Sequence, residues 1–199
     1  MSALETAGKV LRLASRIQPA VASEAVATTE VALVEAVRAG DREAFGRLYA
    51  LYAPMVHGIL LARVPYRDID DLVQDVFLSA LKRLGALRDA AAFGGWLAMI
   101  ARNRAVDYYR RARETEELTD EMPVASHRDA EAEYEAARML EAVRSLPEAY
   151  RETLVLRLVE GMTGPEIAAR TGMTAASVRV NLHRGMKLLR EKLGLEERP

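Results

Sequence analysis

The stretch TGPEIAARTGMTAASVRVNLHRGMKLLREK, Thr163–Lys192, decides the reading of the chain. Thr163 and Glu166 have the order and spacing of a capping box, and Pro165 suits a first helical turn. Ile167 and Ala168 supply the inner face of this first helix. Thr171-Gly172-Met173 makes the turn, with Gly172 placed where a positive φ is required. Thr174 then caps a second helix, on which Val178, Leu182, Met186, Leu189 and Leu193 form one apolar stripe. Ala176, Ser177, Arg179, Val180, His183, Arg184 and Lys187 point away from it. A recognition helix needs this arrangement: short residues at its start to approach the major groove, then arginine for guanine edges or phosphate, and an apolar side chain for a thymine methyl. Thr174, Ser177, Arg179, Val180, His183, Arg184 and Lys187 are therefore the DNA-facing candidates. The competing reading is an ordinary two-helix packing unit with a solvated basic face.

Outward from this motif, the hydrophobic pattern is helical nearly throughout, with no convincing alternating run. Along Asp68–Leu84, residues Ile69, Leu72, Val73, Val76, Phe77, Ala80, Leu81 and Leu84 recur at three- and four-residue steps, with acids in the first turn and Lys82/Arg83 in the last. Val31–Val37 and Arg42–Leu61 read as two helices separated by Ala39-Gly40-Asp41, with Asp41 as N-cap. Pro54 is expected to bend or divide the second, and Pro65 ends the short segment after it. Gly85–Ala92 reads as a loop and Phe93–Arg113 as a further helix. The expected fold is all-α: two small helical domains, residues 31–113 and 139–195, joined by an acidic flexible linker, residues 114–138. Residues 1–30 form an N-terminal extension of unassigned role, with a helix over Ala3–Ile17 compatible with its pattern.

The chain has 199 residues, and 28 basic against 29 acidic residues give it a net charge of −1. That total is a cancellation. Glu114–Glu135 holds nine acids against Arg128, whereas Ala101–Arg113 has five arginines against Asp107, and Arg170–Lys192 has six basic residues against Glu191. Two basic blocks flank one acidic block. Only four of the basic residues are lysine, and arginine's planar fork suits phosphate and base edges. Cysteine is absent and the three histidines, at 57, 127 and 183, are far apart, so neither a metal site nor a cofactor is expected. No run approaches a membrane span, and the chain is read as a soluble cytoplasmic protein without membrane insertion. No paired-carboxylate, phosphate-loop or nucleophile–base constellation supports an enzyme.

Three stretches in this order, DIDDLVQDVFLSALKRL at 68–84, FGGWLAMIARNRAVDYYRR at 93–111 and SLPEAYRETLVLRLVEGMTGPEIAARTGMTAASVRVNLHRGMKLLREKL at 145–193, resemble a bacterial extracytoplasmic-function sigma factor. This is the compact two-domain branch of the sigma-seventy family. The resemblance implies that the helix at 68–84 docks on the clamp helices of the largest subunit of core RNA polymerase. Asp71, Gln74 and Asp75 match the family's D-x-x-Q-[ED] positions, and Asp70 and exposed Leu78 lie beside them. It implies that the helix at 93–111 and loop Gly85–Ala92 capture and melt the minus-ten promoter element, through Arg102, Asn103, Tyr108, Arg110 and Arg111. Asp107, three after Arg104 and four before Arg111, is placed to engage either arginine in an ion pair. Phe93 and Trp96 read as core. The second domain would then meet the minus-thirty-five element and the polymerase flap on the upstream side, with the acidic linker threading the polymerase cleft or acting as a plain tether. Promoter DNA, core polymerase and an anti-sigma factor are the implied partners. The alternative is a dimeric helix-turn-helix regulator on palindromic sites, acting independently of the polymerase.

Overall fold

The computed structural model describes residues 23–115 and 130–194, and the side chains of residues 29–112 and 136–194. The expectations for residues 1–22 and for most of the acidic linker, residues 116–129, lie outside the described residues. Eight α-helices and no strand occur among the described residues: α1 Ser23–Arg38, α2 Arg42–Leu61, α3 Ile69–Arg83, α4 Phe93–Thr115, α5 Ala130–Arg144, α6 Glu148–Leu158, α7 Gly164–Thr171 and α8 Ala175–Lys192.

Local chemistry sets most of these bounds. The Asp41 carboxylate accepts from the backbone N–H groups of Glu43 and Ala44, which starts α2 as its N-cap. Contrary to the expected break, α2 runs unbroken through Pro54 to Leu61. Its flanking residues Tyr52, Met55 and Val56 are almost fully buried, and tertiary packing outweighs the hydrogen bond that proline removes. Two boundaries also move. The first helix begins at Ser23 rather than Val31, and α5 begins at Ala130, inside the segment read as linker.

The first domain packs α2 against α1, α3 and α4, with Val34, Leu48, Met55, Ile59, Val76 and Leu97 in its core. Gly85–Ala92 is not a plain loop but holds two 3-10 turns, Leu84–Ala86 and Ala90–Ala92. Arg38, at the end of α1, donates to the carbonyls of Leu84 and Leu87 and so ties this connection to the bundle.

In the second domain, α6 packs on α8, and α7 packs on both. Gly185 lets α8 approach α6: a Cβ there would lie 3.0 Å from Leu154 Cδ1 and 3.1 Å from Tyr150 Cβ. The two domains then share one continuous core, because α6 also packs on α2 and α7 on α4. Arg144 at the end of α5 fastens the junction by donating to the carbonyls of Leu61 (2.9 and 3.0 Å) and Val64 (2.7 Å), which the end of α2 leaves without helical partners.

Candidate functional site

The helix-turn-helix forms as its caps dictate. Thr163 Oγ1 accepts from the Glu166 N–H while the Glu166 carboxylate accepts from the Thr163 N–H, completing the capping box. This carboxyl is held below its usual range: burial opposes its ionisation, and the Thr163 hydrogen bonds together with the charges of Arg170 and Arg157 outweigh burial. Gly172 takes φ 73°, the left-handed conformation expected of it. Thr174 Oγ1 accepts from the Ser177 N–H at 3.1 Å and donates to Ser177 Oγ at 2.8 Å, so these two hydroxyls first serve the start of α8. Val178 and Leu189 are buried, with Leu182, Met186 and Leu193 packed against the core. Thr174, Ser177, Arg179, Val180, His183, Arg184 and Lys187 are all exposed or half-exposed, and Lys187 lies 3.9 Å from Glu191 across one turn. The face is therefore short and polar at its N-terminal end and cationic beyond it, with Val180 as its apolar contact.

On α3, burial of Ile69, Leu72, Val73, Val76, Phe77 and Ala80 turns Asp70, Asp71, Gln74 and Leu78 outward. Leu78 is 52% exposed beside these polar side chains. Asp75 differs from its neighbours: it is half-buried and paired with Arg104 of α4. The expected intrahelical pairing of Arg104 with Asp107 is thus replaced by a bridge between helices, while Asp107 pairs with Arg110 at 3.1 Å. A groove of about 410 Å³ runs between α3 and α4, and Leu78, Trp96, Met99 and Asn103 line it. It brings residues from two expected sets, Leu78 and Asn103, to one surface. Phe93 is core as expected, and Trp96 packs against that core while, only partly buried, it also lines this groove.

The residues of α4 divide. Asn103 and Arg110 are exposed, and Arg111 is exposed beside them. Tyr108 is half-buried and donates to Asp68 Oδ2 at 2.7 Å; burial first, then the Asp68 contact, pushes its hydroxyl up to about 12. Arg102 does not face solvent freely. Its Nη2 lies 2.7 Å from Glu152 Oε1 and its Nε 3.1 Å from Oε2, and Arg63 Nη2 reaches the same carboxylate at 2.7 Å. Burial raises the pKa of the Glu152 carboxyl, and the Arg102 and Arg63 guanidiniums outweigh that and hold it below its usual range.

Glu152 and Arg63 are not legible in the sequence as site residues. The available signal is an acid three and four positions before Val155 and Leu156, on their apolar stripe, where a carboxylate requires a buried partner. Gly94 and Gly95 carry a second signal, since glycine in a helix costs about 1 kcal/mol relative to alanine. In the fold they admit the helix-turn-helix turn: a Cβ on Gly94 would lie 2.7 Å from the Arg170 carbonyl oxygen, and one on Gly95 would lie 3.3 Å from Gly172 Cα.

Comparison with known proteins covers both halves of this arrangement. Residues 48–115 match the family model for Sigma-70 region 2, and residues 136–189 match that for Sigma-70, region 4. The ECF RNA polymerase sigma factor BldN of Streptomyces coelicolor is 32% identical over 181 residues, spanning 86% of this chain and 68% of the relative. The RNA polymerase sigma factor CarQ of Myxococcus xanthus is 33% identical over 166 residues, covering 81% and 95% of the two chains. A solved structure of CnrH in complex with the cytosolic domain of CnrY superposes with a TM-score of 0.61 at 28% identity, covering 85% of this chain and 99% of that one.

Proposed function

Because the chain belongs to the extracytoplasmic-function sigma factors of the sigma-70 family, we propose that it binds core RNA polymerase through the exposed edge of α3 and places α8 on the upstream promoter element. As a sigma factor it directs promoter recognition and transcription initiation. The observation that carries the assignment of surfaces is the pairing of two outward faces of opposite character. The edge of α3 presents Asp70, Asp71, Gln74 and Leu78, and α8 presents Arg179, Val180, His183, Arg184 and Lys187. The acidic and apolar edge suits a basic, partly apolar protein helix, while the cationic edge suits a phosphate-lined groove.

In this reading α8 holds its bases with Arg179, Val180 and Arg184, while Thr174 and Ser177 fix the helix start at the DNA backbone. Asn103, Arg110 and Arg111 of α4 meet the melted minus-ten strand, and the 3-10 turns between Leu84 and Ala92 hold a flipped base. Asp75 acts through Arg104, bracing α3 against α4, rather than by direct docking. The protein works in the cytoplasm without chemistry of its own, and among the described residues no helix is long and apolar enough to cross a membrane. An anti-sigma factor is its expected inhibitor. No observation favours the dimeric palindrome reader, whose N-terminal half would have no reason to match region 2.

The test is run-off transcription with purified core polymerase on fragmented DNA from the host, with start sites mapped by sequencing. Discrete start sites that require the chain support the reading. Absence of both a dependent transcript and core binding overturns it.

A further inference from the structure

Arg63 and Arg102 converge on one carboxylate; both arginines belong to the first domain and the carboxylate to the second, and Arg102 Nη2 also lies 3.5 Å from the Thr171 carbonyl of the second domain. Arg63 Nη1 donates to the Ile59 carbonyl at 3.0 Å, and its own carbonyl accepts from the Tyr109 hydroxyl at 2.6 Å. Arg102 projects from the middle of α4. Among the described residues, their ion-pair partners are Glu152 and Glu148, the latter 3.7 Å from Arg63 Nε and largely exposed, and both lie on α6. If the second domain departs, both guanidiniums are left without this counterion, Arg63 still held by the Ile59 carbonyl. A phosphodiester carries the same charge as Glu152 and presents two oxygens in a similar fork, which guanidinium pairs recognise.

The seat that brings Glu152 there is built from missing side chains. Gly94 and Gly95 accept the turn between α7 and α8, and Gly58 accepts α6, where a Cβ would lie 2.7 Å from Leu156 Cδ2 and 2.9 Å from Glu160 Cγ. Glu152 is 2% exposed in this arrangement, against 16% for the Arg63 side chain and 30% for that of Arg102.

We infer that Arg63 and Arg102 form a backbone-phosphate site for single-stranded DNA, and that Glu152 occupies this site whenever the helix-turn-helix domain is packed on the first domain. Closure and strand binding then exclude one another, and the chain inhibits its own minus-ten function until the domains separate. The inference rests on the proposed role of α4 in holding the melted strand, and it adds Arg63 to that surface with Glu152 as its intramolecular competitor.

The chain has no cysteine, so Glu43→Cys and Lys192→Cys, one in each domain, report the distance between domains by fluorescence transfer in the full-length protein. The probe is a labelled single-stranded DNA oligonucleotide of mixed sequence, followed by anisotropy. Two variants should separate the domains by different means. Glu152→Gln removes the competing charge. Gly94→Ala sets a methyl against the Arg170 carbonyl and the Tyr52 ring while replacing glycine by a stronger helix former. Each should lower the transfer efficiency and tighten strand binding about tenfold, a coupling in the range usual between competing sites. Arg63→Gln in the Gly94→Ala background should cancel that gain and lower the salt slope by roughly 0.7, the loss of one phosphate contact.

Either variant separating the domains without tightening strand binding overturns the inference. So does unchanged transfer in both, or an Arg63→Gln variant with unaltered affinity and slope. Equal tightening toward polyglutamate would make the pair a socket for acidic peptide and also overturns it. Run-off transcription by the parent chain keeps the two readings apart: a parent that transcribes while these outcomes fail loses only the phosphate site. A parent that neither binds core nor transcribes loses the sigma reading.

Discussion

Two cationic faces of this molecule carry the same kind of sequence signal, and they have different fates in the fold. On α8, Arg179 and Arg184 are exposed. On α4, Arg102 is turned inward onto a carboxylate 50 residues further along the chain, which Arg63 reaches from 89 residues before it. The stripe that orients α8 and the caps that start it lie within one helix-turn-helix, so its outer face is fixed by local rules. On α4 the apolar residues occupy nearly the whole perimeter, and no local rule selects an outer face. Which arginines remain available there is settled by what packs against the helix.

That contrast can be broken most strongly at Glu152. Glu152→Ala leaves two partly buried guanidiniums without their carboxylate and should lower stability by about 3 kcal/mol, read by urea unfolding. A change below about 0.5 kcal/mol, the range of ordinary surface substitutions, would show that the contact between domains is incidental. Gly172→Ala tests the hinge of the same contact. It forces a left-handed φ on alanine and sets a Cβ 3.1 Å from Gly95 Cα, with an expected loss of about 2 kcal/mol. A thermal midpoint equal to the parent's would contradict it.

The exposed face should respond in the opposite sense. Arg179→Ala and Arg184→Ala should leave stability within about 0.5 kcal/mol. Each should weaken promoter binding about tenfold by gel shift, with the salt slope reduced by about 1 where the contact is to phosphate. Thr163→Ala should cost about 1 kcal/mol of stability through loss of the capping box, with Arg179 still on the outer face. If it instead abolished promoter binding in a fully folded protein, the recognition surface would extend into α7.

The smallest expected effect joins the two regions through protonation. His57 of α2 lies 2.6 Å from Glu160, two residues past the end of α6. Its pKa is raised, first by the hydrogen bond to Glu160, with burial opposing and the charges of Glu160 and Asp70 reinforcing it. A raised folded-state pKa means that this contact contributes fully below the unfolded value of about 6.5 and is lost as pH rises through the folded value. Thermal midpoints should therefore fall slightly more between neutral and mildly alkaline pH in the parent than in His57→Gln. Parallel profiles would show that His57 does not couple the domains to pH.

Much of the candidate site is legible in the sequence because its causes are short-range. The Asp41 cap, the Thr163–Glu166 box, the positive φ of Gly172 and the inward stripes of α3 and α8 each depend on residues within a few positions of one another. Asp70, Asp71, Gln74 and Leu78 follow from the α3 stripe for the same reason. The pairing of Asp75 with Arg104 does not follow from that stripe, because Arg104 sits on another helix. The break expected at Pro54 is absent because α2 is buried on several sides, which no single-helix pattern reports. Glu152 stands on an apolar stripe that a helical wheel shows, but the wheel does not show the guanidiniums opposite that pair with it.

By itself, then, the sequence determined that the chain is helical, where its helix-turn-helix begins and turns, and which family its three stretches resemble, since caps, periodicity and motif order are written within single segments. The tertiary structure alone decided that Arg102 and Arg63 meet Glu152, that Gly58, Gly94 and Gly95 seat the second domain, and that Leu78 and Asn103 share one groove. Those facts depend on the distance between atoms far apart in the chain, and only the packing of one helix on another fixes that distance.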